Sequence, residues 1–361
     1  MPTADQIRIA EDRARPRLME LWWALCPLNS VVQFMQTGAH PDDEISSMLA
    51  ALAFRDGINH SYACYTRGDG GQTANGWGRT RTLQRFAEII RTEKPDIICP
   101  TFLDVPGQHG HHRAMTEAAH AVMALAADPE FQTDQPPWQV KKLYLPAWSG
   151  AGTSYDDDLP PPPTTLVIPG QDREPMTGWT WNRIGQQSRT FHRTQGMGRW
   201  VPASAHQDWP LHLADSHVAG PDTALWSGLP RSLRDWAEDP RAAPVAEGLR
   251  RAQTELKAAV AAFPAFETVA DHAAAAVEQI HSIKEACPPD LISEIGHKLD
   301  AKLIQLSHVL RLALGVDARV TAGADFVPAG GTTTLSTELD RGSAEAVDSD
   351  LDLPKGWRVE G

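Results

Sequence analysis

Apolar positions in the first half of the chain fall into short runs, and stretches with helical spacing lie between them. Val31 to Met35, Ser61 to Thr66, Asp96 to Thr101 and Lys142 to Pro146 read as strands. Ile45 to Arg55, Thr80 to Thr92 and Arg113 to Ala127 read as the intervening helices. Such alternation with short loops predicts parallel strands joined by right-handed crossovers. The expected α/β fold is a Rossmann-like, open, mostly parallel sheet with helices on both faces. A Pro-, Gly- and Asp-rich stretch from Gly152 to Gly178 suits an exposed rim, and helical character returns from Asn182 to Thr194. Ala, Leu, Glu and Lys at helical spacing then predict three helices, Pro244 to Ala262, Thr268 to Cys287 and Pro289 to Leu314. After Gly315 three short strands are expected, Asp317 to Thr321, Thr332 to Glu338 and Ala344 to Leu351, too few to close a sandwich. The chain thus divides into an α/β unit over residues 1–225, a helical region over 226–315 and an incomplete β-sandwich-like tail over 316–361.

Composition narrows the classes of function. The 361 residues suffice for more than one domain, and a hydrophobic content of 42% is that of a globular protein. A net charge of −13 argues against non-specific binding to nucleic acid or an anionic membrane, both of which need a basic face. No apolar run approaches the ~18 residues of a membrane span, and the charged N-terminus has no secretory apolar core. Four cysteines scattered without CxxC spacing predict a reducing, cytoplasmic setting with neither disulfides nor a cysteine zinc site.

The chemistry is concentrated in the loops after the first three strands. His40-Pro41-Asp42-Asp43-Glu44 follows strand one, Arg67-Gly68-Asp69-Gly70-Gly71-Gln72 follows strand two, and His109-Gly110-His111-His112 follows strand three. In a parallel sheet these loops share the carboxyl edge, where open α/β sheets bind ligands. Taken alone, HPDDE is also what a well-capped helix start looks like, because acidic residues there favour the dipole and cap free amides. The histidine cluster on the same edge weighs against that. Imidazole nitrogen and carboxylate oxygen are zinc ligands, and a catalytic zinc takes three protein ligands plus an open water position. His40 and Asp43 supply two, a histidine of the second cluster completes the set, and Asp42 is left to handle a proton. His206, Asp208, His212, Asp215 and His217 are spaced irregularly around Pro210 and read as loop and edge-strand residues. The histidines of the helical region read as face or core residues. HExxH is absent, which counts against a helix-borne metalloprotease site.

Ala39-His40-Pro41-Asp42-Asp43-Glu44 with a later His-rich turn resembles the PIG-L/LmbE family of zinc-dependent N-deacetylases, over about residues 30 to 220. The resemblance implies zinc (or iron(II)) held by His40, Asp43 and His112. It also implies Asp42 as the base that activates water, and His109 as the group that stabilises the oxyanion or protonates the leaving amine. Phe191-His192-Arg193-Thr194-Gln195 is similar to the family's H-x-(S/T)-Q segment. Asp69, Arg81 and His192 become candidate substrate-binding residues. The implied reaction is hydrolysis of a linear amide C–N bond, removing an N-acetyl group from an N-acetylglucosamine-type small molecule or glycoconjugate. The helical and β regions resemble those of larger bacterial members with an appended β-sandwich.

Two departures accompany the resemblance. His111 stands where the family has Asp, and between about residues 72 and 95 the family's R-x-x-E segment and a further strand are missing, with only Arg81 matching and Gln84 in the Glu position. Two alternatives follow. One is a catalytically impaired homologue that retains zinc and binds a glycan or metabolite. The other is a zinc amidase acting on thiol conjugates or peptides.

Overall fold

The computed structural model describes residues 18–66, 78–148, 160–192, 196–348 and 350–359. Helix α1 (Leu18–Leu25) leads through a 3-10 turn (Cys26–Asn29) into strand β1 (Gln33–Gly38). There follow α2 (Ser46–Phe54), β2 (Asn59–Cys64), α3 (Arg79–Glu93), β3 (Ile97–Pro100), α4 (Gly110–Ala127) and β4 (Lys142–Pro146). Strand β5 (Leu166–Ile168), α5 (Trp181–Arg189) and β6 (Trp209–Ser216) complete the α/β unit.

These strands form one sheet in the order β2-β1-β3-β4-β6-β5. Pairing is parallel from β2 to β4, and β6 is antiparallel to both β4 and β5. Alternate strand residues serve opposite faces. Phe34, Ile97, Cys99 and Tyr144 pack with α2, Trp181 and Trp209, whereas Met35, Ile98 and Leu143 pack under α3 and α4. The sheet is therefore covered on both sides, as parallel sheets require. Strand β2 forms one border of the sheet, with only β1 as neighbour among the described residues, where the family resemblance expects a further strand.

The second layer is helical. After α6 (Leu233–Trp236) come α7 (Ala246–Ala261), α8 (Phe266–Ala286) and α9 (Pro289–Leu314), each at the place its periodicity predicts. Their shared core takes in Leu21 and Leu25 of α1, together with Leu28 and Val31, so α1 belongs to this helical packing rather than to the sheet. From α9 two buried lysines reach the amino edge of the sheet. Lys298 Nζ donates to Asp96 Oδ2 at 2.6 Å and to the carbonyl of Val31 at 3.0 Å. Asp96 Oδ2 also accepts the Gln33 amide at 2.8 Å, so one carboxylate ties β1, the start of β3 and α9 together. Lys302 donates to Pro27 O, Ser30 O and Gln305 Oε1, and burial pushes its amine down to about 7. His297 packs edge-on against Trp138, and His272 pairs with Glu255, both in the face or core roles expected of them.

The tail holds one hairpin, β7 (Asp317–Ala322) against β8 (Leu335–Asp340), with every residue exposed. The third strand expected at Ala344 to Leu351 is not formed among its described residues. Asp348 and Asp350 are poor strand formers, and no paired neighbour compensates for them. All four cysteines are free thiols, as their spacing predicts. No helix among the described residues is long and apolar enough to cross a membrane.

Removing one partner from a buried ion pair leaves the other charge uncompensated. Lys298→Met is therefore expected to lose about 3–5 kcal/mol in urea unfolding. A loss below about 1 kcal/mol would mean that the Lys298–Asp96 pair does not hold the helical layer to the sheet.

Candidate metal centre

Sheet topology decides where the motifs meet. The chain leaves β1 for β2 on one side and returns past it to β3 on the other, so strand order reverses between β1 and β3. That reversal is where doubly wound sheets open a ligand crevice at their carboxyl edge. Both strands end level there: Thr37 pairs with Pro100, and the Thr101 amide donates to Thr37 O at 2.8 Å. The HPDDE turn follows β1, and the HGHH segment opens α4 after β3.

The turn is folded by its own backbone and by Tyr62. A Cβ on Gly38 would lie 1.9 Å from the Tyr62 hydroxyl, so only glycine fits at that point. That hydroxyl donates to the His40 carbonyl at 2.6 Å, and the Asp43 amide donates to the same carbonyl at 3.2 Å. Asp43 Oδ2 in turn accepts the amides of Ala39 at 3.0 Å and His40 at 2.8 Å. Helix α2 starts only at Ser46, with no side-chain cap and no acidic residue in its first turn. The carboxylates therefore do not cap this helix, which removes the simpler explanation of HPDDE. Arg189 of α5 clamps the turn from outside, donating to Glu44 O at 2.8 Å and to Asp42 O at 2.9 Å.

Three lone-pair atoms converge inside this frame. His40 Nδ1 lies 3.3 Å from Asp43 Oδ2, His112 Nε2 lies 3.4 Å from the same oxygen, and the two nitrogens are 3.2 Å apart. Ligands at ~2.0–2.1 Å from a tetrahedral zinc stand about 3.3–3.4 Å from one another. The donor set and its spacing fit such an ion, and this is the one group of its kind among the described residues.

The outer nitrogens of both rings are provided for. His112 Nδ1 lies 2.9 Å from Gln108 Oε1, a carbonyl oxygen that accepts from an Nδ1–H, and a neutral ring protonated there offers its Nε2 lone pair to a metal. The His112 ring stacks on Phe102 at 4.1 Å. His40 Nε2 lies 3.4 Å from His111 Nδ1, which places His111 behind a ligand. Partners of this kind fix the tautomer and orientation of metal-binding imidazoles. Burial alone raises the Asp43 carboxyl, but the hydrogen bond and charge of His112, with the amide and charge of His40, hold it below the usual carboxylate range. Burial, and then the neighbouring His112 and His40, press the His109 imidazole below its ordinary value.

The other predicted residues fall in different places. Asp42 is half-buried beside the triad, and its carboxylate takes no hydrogen bond from the described residues. His109 is the residue before the first turn of α4, its ring 5.1 Å from that of His112. His192 Nε2 comes within 3.5 Å of Glu44 Oε1, at the margin of the turn. Arg81 is exposed on the first turn of α3, in a depression with Cys64, Tyr65 and Arg85 that includes none of the triad. Asp69 and the rest of RGDGGQ, like Arg193 to Gln195, lie outside the described residues. Gln108, His111, Tyr62 and Arg189 were not singled out from sequence as parts of the centre. Gln108 alone carried a local signal, four residues before His112 on the approach to a helix.

No family model matches the chain, and no curated relative matches it by sequence. Among solved structures it is similar to the conserved protein TT1542 from Thermus thermophilus, at 12% identity and a TM-score of 0.34. That match covers 52% of this chain and 97% of the other. The likeness is too loose to carry an argument.

Loss of an outer partner typically weakens metal binding ~10–100-fold. Gln108→Leu and Arg189→Met are each expected to lower zinc affinity by about that factor in chelator competition, with circular dichroism unchanged. Unaltered affinity in both variants would show that neither residue orients the ligand set.

Proposed function

We propose that this protein is a metal-dependent hydrolase of linear amide C–N bonds. The reading that fits best is a PIG-L/LmbE-type N-deacetylase acting on an N-acylated amino sugar or glycoconjugate. One observation carries it above the others: three lone-pair atoms from two loops meet at 3.2–3.4 Å, with each imidazole's remaining nitrogen turned to a partner. His40, Asp43 and His112 would hold zinc, or iron(II). When bound, the ion supplies a Lewis acid and lowers the pKa of a water toward ~7.

The chain's own groups provide the proton transfers. Asp42 is not drawn into the triad and has no competing donor among the described residues, so its carboxylate suits a general base. Arg189 holds the backbone carbonyls on both sides of Asp43, which keeps Asp42 and Asp43 turned to separate tasks. His109, with its imidazole pressed toward the neutral form, keeps an N–H to offer to charge developing on the amide oxygen. The leaving amine needs a proton, and Asp42 after accepting one, or His109, is placed to return it. His192 and Glu44 at the margin of the turn suit contacts to polar groups of the substrate.

Elemental analysis paired with acetate release from N-acetylglucosamine derivatives tests this reading. About one zinc per chain is expected, lost in His112→Ala. Asp42→Asn should keep the metal while turnover falls ~10²–10⁴-fold. Stoichiometric zinc without cleavage of any amide would favour the zinc-retaining binding protein, and wild-type protein with neither zinc nor iron would end the proposal.

A further inference from the structure

Beside the metal loop, on the face of the sheet covered by α2 and α5, lies a cavity of about 740 Å³, a volume typical of small-ligand sites. Trp23 of α1, Phe54 of α2, Trp179 and Phe191 line it, and Tyr62 of β2 adds a fifth aromatic ring. Among the described residues no lysine or arginine lines it, whereas two carboxylates do, Glu20 and Glu44. His60 also lines it, pushed by burial toward the neutral form.

Glu44 is the distinctive element. One oxygen is engaged: Oε1 accepts from Ser46 Oγ at 2.6 Å, with the Arg189 guanidinium at 3.6 Å and the His192 ring at 3.5 Å from the side of the metal loop. The other oxygen, Oε2, is buried and has no hydrogen-bond partner among the described residues. A buried acceptor without a donor is costly, so the carboxylate gains by turning toward a ligand N–H. Aromatic walls bind apolar groups and attract cations to their ring faces. Arg183 already lies 6.0 Å from the Trp179 ring without lining the cavity, so that ring has one cation near it from outside.

We propose that this cavity is a binding site for an apolar ammonium compound, an arylalkyl- or alkylamine whose hydrocarbon part sits among the rings with its ammonium toward Glu20 and Glu44. An anion of the same shape is disfavoured, because both charged lining groups repel it. Tyr62 lines the same cavity and donates to the His40 carbonyl, so an occupant lies against the wall that supports the metal loop. The site stands on the cavity and its charges, and its test does not require hydrolytic activity.

The test uses three probes of one shape, 4-phenylbutylamine, 4-phenylbutanol and 4-phenylbutanoate, titrated into the full chain and followed by calorimetry and tryptophan fluorescence. Chelator-treated and zinc-supplemented protein are compared, which separates binding here from binding at a metal. The amine is expected to bind at least about tenfold tighter than the acid, with the alcohol between them. Glu20→Gln and Glu44→Gln should each narrow the gap between amine and alcohol. Ser188→Trp fills the cavity from an exposed position on α5 and should abolish binding of all three probes while leaving the fold intact by circular dichroism. Equal affinity for acid and amine, or amine binding undiminished in Ser188→Trp, would overturn the proposal. So would the absence of saturable amine binding to the wild-type chain.

Discussion

The fixed position of one oxygen, Asp43 Oδ2, is the constraint on which the candidate centre depends. Two backbone amides of its own turn hold it, and two imidazoles face it from opposite loops. A carboxylate held this way loses little further freedom when it takes a ligand, because folding the turn has already ordered it. The same oxygen explains why the turn is tight. Its hydrogen bonds bring Ala39 and His40 back over Asp43, and the Tyr62 hydroxyl and the bare Gly38 backbone leave room for that return and no more. Asp42, one residue earlier, is thereby left out of the triad.

The sheet is restrained differently at its two edges. At the amino edge, Asp96 and the buried lysines of α9 lock β1 and the start of β3 to the helical layer. At the carboxyl edge, strand order reverses, leaving a crevice that the two ligand-bearing loops fill. Rigidity at one edge gives the loops at the other a fixed base, as preorganised ligand sets need. Helix α5 links the centre to the neighbouring cavity. Its Arg189 holds the metal loop, while Gln187 and Ser188 on the same helix face the cavity.

Much of this was legible in the sequence, for identifiable reasons. Strand and helix alternation is written in periods of two and 3.6, so β4 at Lys142 to Pro146 and the three long helices of the second layer could be placed closely. His40, Asp43 and the HGHH cluster could be brought together because parallel topology puts the loops after the strands on one edge, and the family resemblance singled out His112 within the cluster. Other assignments depended on contacts that no local pattern records. Trp181 is 1% exposed and belongs to the core, while Trp179 two positions away lines the cavity. Arg81 matched a family position by spacing, and the depression it lines with Cys64, Tyr65 and Arg85 includes none of the triad. The strand expected at Ala344 to Leu351 had suitable alternation but no partner to pair with.

Sequence by itself determined the α/β class, the parallel half of the sheet and the two donor types, imidazole and carboxylate, of the candidate metal centre, because backbone periodicity and ligand chemistry are local properties. Tertiary structure alone decided the spacing of the triad, the contacts of its imidazoles with Gln108 and His111, the clamp from Arg189, and the union of α1 with the helical layer. Each of these joins residues far apart in the chain or turns on side-chain orientation. Such pairings are selected by packing and by the cost of leaving buried polar groups unmet, and neither leaves a periodic trace in the sequence.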